Sequence, residues 1–261
     1  MKIIDVTVQR YAWPRPKPIR NGKYTYTTVG LNLIQIETDE GVTGIGWGGG
    51  TAAGRPGEVT SALVDHFKQA LIGEDPFAYR RLWEQMWQPK IVGRRGMSTQ
   101  VISGIDIALW DLMGKALGKS VHKLLGGYTD RIPTYIAGGY YEEGKGLKEL
   151  AQEMEESLDL GAKAVKMKVG GMSIPEDVER VRVVRETIGP NIKLLVDANN
   201  AYAAYEAIDV VRRIEPYDVF WFEEPVAPDD YRGHAQVAQA TAIPIATGEN
   251  EYPRYGFRDL I

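Results

Sequence analysis

The sequence predicts two unlike parts: an α+β domain over residues 1–128, and an alternating β/α array over residues 129–261 with the rhythm of a parallel barrel. Three observations carry this. Early segments alternate apolar and polar residues with period two, as strands with one buried face do. From Ile132 onward, short continuous apolar runs are each followed by a stretch of helical spacing, as parallel strands covered on both faces require. Finally, Asp197, Glu223 and Glu249 each close one of these runs at an even interval, since 223 − 197 and 249 − 223 are both 26. One β/α unit takes about that length, because a barrel of eight units has about 250 residues.

Residues 2–12 and 29–38 read as strands, and DEGVTGIGWG turns back into a third, giving a short meander. Between the first two lies WPRPKPIRNGKYTY, which fits either a surface loop or a basic, aromatic flap closing over an anionic substrate. Helical spacing follows over Glu58–Leu71, Pro76–Trp87 and Ser98–Leu117. The last carries a stripe of Val101, Ile105, Ala108, Leu109 and Leu112 and stops at Gly118. The run Gly44-Ile45-Gly46-Trp47-Gly48-Gly49 matches G-x-G-x-x-G literally. No helix opens there inside a βαβ unit, so a nucleotide site is rejected, and glycines that let backbone approach a neighbouring loop are the better reading.

In the second part the strands are read at 132–139, 164–170, 192–199, 219–225 and 243–250. Helices are read at Leu147–Leu160, Pro175–Ile188, Tyr205–Ile214 and Tyr231–Ala240. The sequence ends in YGFRDLI, inside a fifth helix. About five β/α units fall short of a closed eight-stranded barrel by on the order of 75–100 residues, so a truncated barrel is expected. His66, His122 and His234 end none of these strands and are assigned structural or exposed roles.

The chain has 261 residues, 44% hydrophobic and 25% charged, the composition of a soluble globular protein. A net charge of −4 leaves no footprint for nucleic acid or an anionic membrane. The absence of cysteine excludes disulfides and thiolate metal sites. The start lacks a long apolar signal segment, and no run of 18 apolar residues occurs, so a cytoplasmic enzyme is expected.

Three carboxylates on neighbouring strand ends repel one another unless a cation sits between them. Oxygen-only ligands favour a hard divalent ion: one Mg²⁺ per site, with Mn²⁺ as the alternative. One strand earlier, Lys166 and Lys168 in AVKMKVG share a face, because side chains alternate along a strand. Two adjacent ammonium groups disfavour each other's charge, which predicts a lowered lysine pKa and a usable base. Such a set suits removal of a weakly acidic proton beside a carboxylate, with the metal taking up charge on the enediolate. Singly, each motif is bland: Lys-x-Lys marks a strand edge, Glu-Glu-Pro a turn, and Asp after an apolar run a helix N-cap. Their joint order and spacing override those readings.

Lys-Met-Lys, Asp-Ala-Asn, Glu-Glu-Pro and Gly-Glu-Asn together resemble the enolase superfamily and, within it, the mandelate racemase subgroup. IDIALWDLMGKALGKSVHKLLGG resembles that family's joint between capping domain and barrel. The resemblance implies a capping domain before a (β/α)7β barrel, with Asp197, Glu223 and Glu249 as Mg²⁺ ligands. Glu223 is preferred over Glu224, which alternates to the other side. It implies Lys168 as the base taking the α-proton, and Lys166 as its partner lowering its pKa and neutralising the substrate carboxylate. Asn199 and Asn250 would hydrogen-bond the substrate, and Arg20 and Tyr24 would contact it from the flap. The implied reaction is dehydration of a sugar acid to a 2-keto-3-deoxy acid, with a homo-oligomer acting on a small anionic hydroxy acid. Racemisation or epimerisation of a 2-hydroxy acid at the same site is the alternative, and a catalytically incomplete metal-binding fragment is the third. The family's second acid/base, a His paired with an Asp, and its eighth-strand Glu would fall beyond Ile261.

Overall fold

The computed structural model describes residues 1–48, 57–87 and 95–261, which divide into two compact units. One comprises Met1–Pro16, Thr27–Arg131 and Tyr252–Tyr255; the other comprises Lys17–Tyr26, Ile132–Glu251 and Gly256–Ile261.

The first sheet contains β1 (Ile3–Arg20), β2 (Thr25–Thr38) and β3 (Thr43–Trp47), side by side in that order. β2 and β3 are antiparallel, with Leu33 opposite Trp47 and Glu37 opposite Thr43. The segment between the first two predicted strands is no loop. β1 runs through it to Arg20 and β2 begins at Thr25. Its Pro14, Pro16 and Pro18 alternate, so their missing N–H groups all fall on one edge of the strand. β1 has a strand neighbour on one side only among the described residues, so those positions give up no ladder bond.

Helices of this unit are α1 (Gly57–Lys68), α2 (Tyr79–Met86), α3 (Met97–Leu117) and α4 (Val121–Leu124). A 3-10 turn at Pro76–Ala78, capped by Asp75 accepting from the Phe77 N–H, leads into α2. The predicted α3 stripe is wholly buried, packing with Ile3, Ile34, Ile36, Val64 and Leu82. α3 lies directly on β3. A Cβ added to Gly44 would stand 2.1 Å from the Ala108 carbonyl oxygen, and one on Gly46 would stand 2.0 Å from that of Gly104. The glycines of the rejected nucleotide motif therefore admit a helix, not a neighbouring loop; Gly49 lies outside the described residues.

The second sheet is parallel, in the order β4 (Ile136–Ala137), β5 (Ala164–Lys168), β6 (Lys193–Asp197), β7 (Val219–Glu223) and β8 (Ile245–Ala246). Between and after the strands run α5 (Leu147–Asp159), α6 (Ile174–Ile188), α7 (Ala204–Ile214), α8 (Tyr231–Gln239) and α9 (Arg254–Leu260). Sequential strands lie side by side, as the alternating pattern predicts. α6 starts where Glu176 accepts from the backbone N–H of Ser173, with Pro175 in the first turn. Val165, Met167, Leu194, Val196 and Phe222 face Val181, Val184, Val210 and Val211 in one core. β4 and β8 are much shorter than the apolar runs at 132–139 and 243–250. Each is an outermost strand with a single partner among the described residues, so fewer backbone groups are ordered as ladder. No described helix is long and apolar enough to cross a membrane.

Candidate active site

Alternation along β5 sends Val165 and Met167 into the core and turns Lys166 and Lys168 to the opposite face, both under 10% exposed. Parallel register sets Lys168 beside Asp197, and Asp197 beside Glu223, in one row across β5, β6 and β7. Lys168 Nζ donates to Asp197 Oδ2 at 2.5 Å. Lys166 Nζ donates to Glu223 Oε1 at 2.7 Å and lies 3.4 Å from Asp197 Oδ2. Trp221 Nε1 donates to Glu223 Oε2 at 3.0 Å. The predicted lysine pair and two of the three predicted carboxylates therefore meet in a buried row.

The electrostatics correct one expectation. Burial opposes charge on Lys166, but the hydrogen bond with Glu223 and the charges of Asp197 and Glu223 outweigh it and hold the ammonium above the ordinary lysine range. A lowered pKa was expected from the neighbouring lysine. Carboxylates at hydrogen-bond distance act more strongly than a like charge farther off.

Glu249 lies just beyond β8, in the turn Gly248–Asn250. Partial desolvation, then the charges of Asp197 and Glu223, push its carboxyl above the usual range. Strand alternation in the sequence points Glu224 to the side opposite Glu223. Glu224 is almost fully buried and stays within electrostatic reach of the same group: burial, then Glu249, Asp197 and Glu223, raise it to about 7. Its side chain accepts from Asn250 Nδ2 at 2.6 Å and Asn200 Nδ2 at 3.1 Å. Asn250, predicted to contact substrate, is thus committed to Glu224. The backbone here is strained. Asn199, Asn200 and Glu224 all have positive φ, and Glu224 does so directly before Pro225, where extended conformations are favoured. Such residues cost about 1–3 kcal/mol each, and they gather at the strand ends that carry the charges.

Asn199 lies at the row's edge, its backbone N–H donating to Asp197 Oδ1 at 2.9 Å. Its Oδ1 is buried without a hydrogen-bond partner among the described residues. Two aromatic rings went unnoticed in the sequence: Tyr135 lies 5.0 Å from Lys166 Nζ and Tyr140 lies 5.1 Å from Lys168 Nζ. Both are near β4, whose apolar run offered no charge to flag them. Of the flap residues, Arg20 stacks its guanidinium 4.9 Å from the Tyr141 ring, and Tyr24 is half exposed. The flap side chain in electrostatic reach of Glu249 and Tyr140 is Tyr26, whose hydroxyl accepts from Asn21 Nδ2. His234 is buried on α8, and His66 is exposed on α1.

A divalent cation suits this donor chemistry: every anionic group is a carboxylate, and burial together with the charges of Asp197 and Glu223 raises the proton affinity of Glu224 and Glu249. In the geometry as it stands, lysine ammoniums lie against the Asp197 and Glu223 oxygens. No trio of Asp, Glu or His groups among the described residues is gathered as metal ligands.

Residues 3–126 match the model of the mandelate racemase/muconate lactonizing enzyme N-terminal domain, and residues 149–261 match that of the enolase C-terminal domain-like family. The chain is 38% identical to arabinonate dehydratase of Saccharolobus solfataricus, over 87% of this chain and 61% of that protein. It is 37% identical to D-galactarolactone cycloisomerase of Agrobacterium fabrum, over 98% and 67%. The crystal structure of a racemase from Streptomyces coelicolor A3(2) with bound magnesium superposes with a TM-score of 0.93 at 33% identity, over 99% of this chain and 72% of that one. The chain thus spans about three-fifths to two-thirds of the curated relatives' lengths. The carboxylate and lysine row, the capping sheet, the parallel β/α sheet and these matches lead to one assignment: the chain belongs to the mandelate racemase subgroup of the enolase superfamily.

Proposed function

We propose that this chain carries the proton-abstracting site of an acid-sugar dehydratase. The single observation that carries the reading is the cluster at the ends of β5–β7, with Lys168, Asp197 and Glu223 in register and Lys166 ion-paired to both carboxylates. Lys168 is the base for the proton α to the substrate carboxylate. Once it accepts that proton, the new ammonium is held by Asp197 Oδ2, its partner at 2.5 Å. Lys166, kept charged by Glu223 and Asp197, supplies positive charge to the substrate carboxylate. Asn199 Oδ1, a buried acceptor with no donor among the described residues, takes a substrate hydroxyl. A divalent cation held by Asp197, Glu223 and Glu249, with Mg²⁺ the fitting ion, would neutralise charge on the deprotonated carboxylate. The β-hydroxyl then leaves as water with the proton that Lys168 took from the α-carbon, and the resulting enol loses its hydroxyl proton and gains one from solvent at the β-carbon, giving a 2-keto-3-deoxy acid.

Relatives named dehydratase and cycloisomerase support a sugar-acid substrate. A net charge of −4 agrees with a small free anion bound in a local basic pocket rather than with nucleic acid. The same reading makes the protein a cytoplasmic homo-oligomer. The test incubates aldonic and aldaric acids with the protein and Mg²⁺ in deuterium oxide. Loss of water together with α-exchange is expected. Exchange without loss of water would move the assignment to racemisation or epimerisation, and absence of both across the panel would sink it. In parallel, saturating Mg²⁺ at about 100 times Kd is expected to stabilise the fold by about 2.7 kcal/mol. An Asp197→Asn variant should lose most of that gain.

A further inference from the structure

The flap tip, Lys17–Tyr26, clusters with the sheet that carries the lysines. Its attachment is narrow. Arg20 and Tyr141 exchange both backbone hydrogen bonds at 2.8 Å, an isolated antiparallel bridge outside either sheet. Gly22 sits so close to the loops after β5 and β6 that an added Cβ would stand 2.7 Å from Ala201 Cβ and 3.0 Å from the Gly170 carbonyl. Beside this contact a cavity of about 540 Å³ opens between Lys17–Arg20 and Glu142, Glu143 and Met172. The tip is therefore held mainly at Arg20 and Gly22, and Arg20 leans on Tyr141.

Tyr141 is itself anchored in a buried polar network. Its hydroxyl donates to Asp177 Oδ1 at 2.5 Å and accepts from the Gly171 N–H at 3.0 Å. Asp177 Oδ2 accepts from the Gly170 N–H at 2.7 Å and lies 3.4 Å from the Met172 nitrogen. Arg180 balances the carboxylate, with Nε 3.7 Å from Asp177 Oδ1, while its Nη2 donates to the Gly139 carbonyl at 2.7 Å. Asp177, Tyr141 and Arg180 are all under 5% exposed. One carboxylate thus gathers the loop leaving β5, gripped at Gly170 two residues past Lys168, and the segment leaving β4, which carries Tyr140 over Lys168. A buried carboxylate with this many donors is costly to disturb, since each lost partner leaves a desolvated group behind.

We propose that Tyr141 and Asp177 are a positioning pair that fixes the flap tip on the loop following the lysine strand, so that flap and base meet the substrate in one frame. Its catalytic consequence rests on the proton-abstraction reading above; its structural content does not. Arg20 acts through this pair, bound to it by its backbone and by its guanidinium on the Tyr141 ring.

Hydrogen exchange followed by mass spectrometry tests this on the whole chain. Tyr141→Phe keeps the ring and removes the hydroxyl. Amides of residues 20–24 and 170–172 should exchange at least 10-fold faster, with those of β6 and α7 unchanged. Tyr202→Phe is the control: Tyr202 is a partly buried phenol whose hydroxyl lies 3.5 Å from the same carboxylate, with no hydrogen bond to residues 17–26 among the described residues. It should change flap exchange by less than 2-fold. Gly22→Val forces the tip off the loops after β5 and β6 while leaving the Tyr141 hydroxyl and Asp177 in place, so residues 20–24 should speed up at least as much as in Tyr141→Phe, with Gly171 and Met172 less affected than there. Unchanged flap exchange in Tyr141→Phe or Gly22→Val, or equal acceleration in Tyr202→Phe, overturns the proposal. Where an acid sugar is turned over, Tyr141→Phe should raise KM at least 5-fold with kcat within 2-fold, and a fall in kcat alone counts against positioning. If no acid sugar reacts but the exchange pattern holds, the functional reading falls and the positioning pair stands.

Discussion

β3 and β5 are both five-residue strands buried against a neighbour, yet they are built in opposite ways. β3 removes side chains: Gly44 and Gly46 bring α3 within contact of the strand backbone. β5 keeps its largest side chains and spends alternate positions on two buried ammonium groups. One arrangement maximises close packing. The other tolerates buried charge, four interacting carboxylates, a buried unsatisfied amide oxygen and positive φ at Asn199, Asn200 and Glu224. The difference teaches where stability is made and where it is given up for chemistry, since strain and desolvated charge persist only where surrounding structure over-determines them.

Exchanging the demands of the two strands gives the sharpest tests. Lys168→Ala should lower α-proton exchange by about 10²–10⁴-fold, the usual worth of a positioned general base, with a lowered melting temperature because Asp197 keeps only Lys166, at 3.4 Å, as its ammonium partner. Wild-type exchange in that variant would remove Lys168 from the chemistry. Gly46→Ala should cost stability alone. A methyl driven against the Gly104 carbonyl costs about 1–3 kcal/mol or more, read as a lower urea midpoint at constant m, with Mg²⁺ binding by the folded protein unaltered. An unchanged midpoint would mean that α3 can lift off the strand.

The smallest effect concerns a carboxyl on the packing side. Burial raises Asp106 on α3 above the usual range, against a hydrogen bond from Trp110 that lowers it. A raised folded-state pKa means that its contribution is fully favourable below the unfolded value and is lost as pH rises through the folded one. Asp106→Asn should therefore raise the melting temperature slightly at neutral pH, and the gain should vanish once pH falls below the unfolded carboxyl range. A gain that grows in acid would reverse the sign assigned here.

Much of the fold was readable because periodicity is a one-dimensional record of which face is buried. The α3 stripe, the apolar strands and the helices between them fall within a few residues of their expected ends. The flap was misread because Pro-x-Pro-x-Pro looks like a breaker; it fits a strand only when the strand lies at an edge, and edge position is not written locally. β4 and β8 were overextended for the related reason that an apolar run does not report how many neighbours it has.

In the site, even spacing at 26 residues put Asp197 and Glu223 on successive strand ends and Glu249 in the turn three residues past β8, because one β/α unit returns the chain to the same rim. Alternation alone put Lys166 and Lys168 on one face. Which groups would meet was settled only by three-dimensional register. It sets Lys168 beside Asp197 and Asp197 beside Glu223, while Lys166, in register with Leu195, reaches Glu223 through its side chain and is held charged there; a positive φ brings Glu224 into the group, and Tyr135 and Tyr140 come to lie against the ammoniums. The sequence alone determined the residue types, their intervals and the faces they occupy, since these follow from the repeat of the backbone. Distance, desolvation and partner depend on segments tens of residues apart being folded together, and only the tertiary structure decided those.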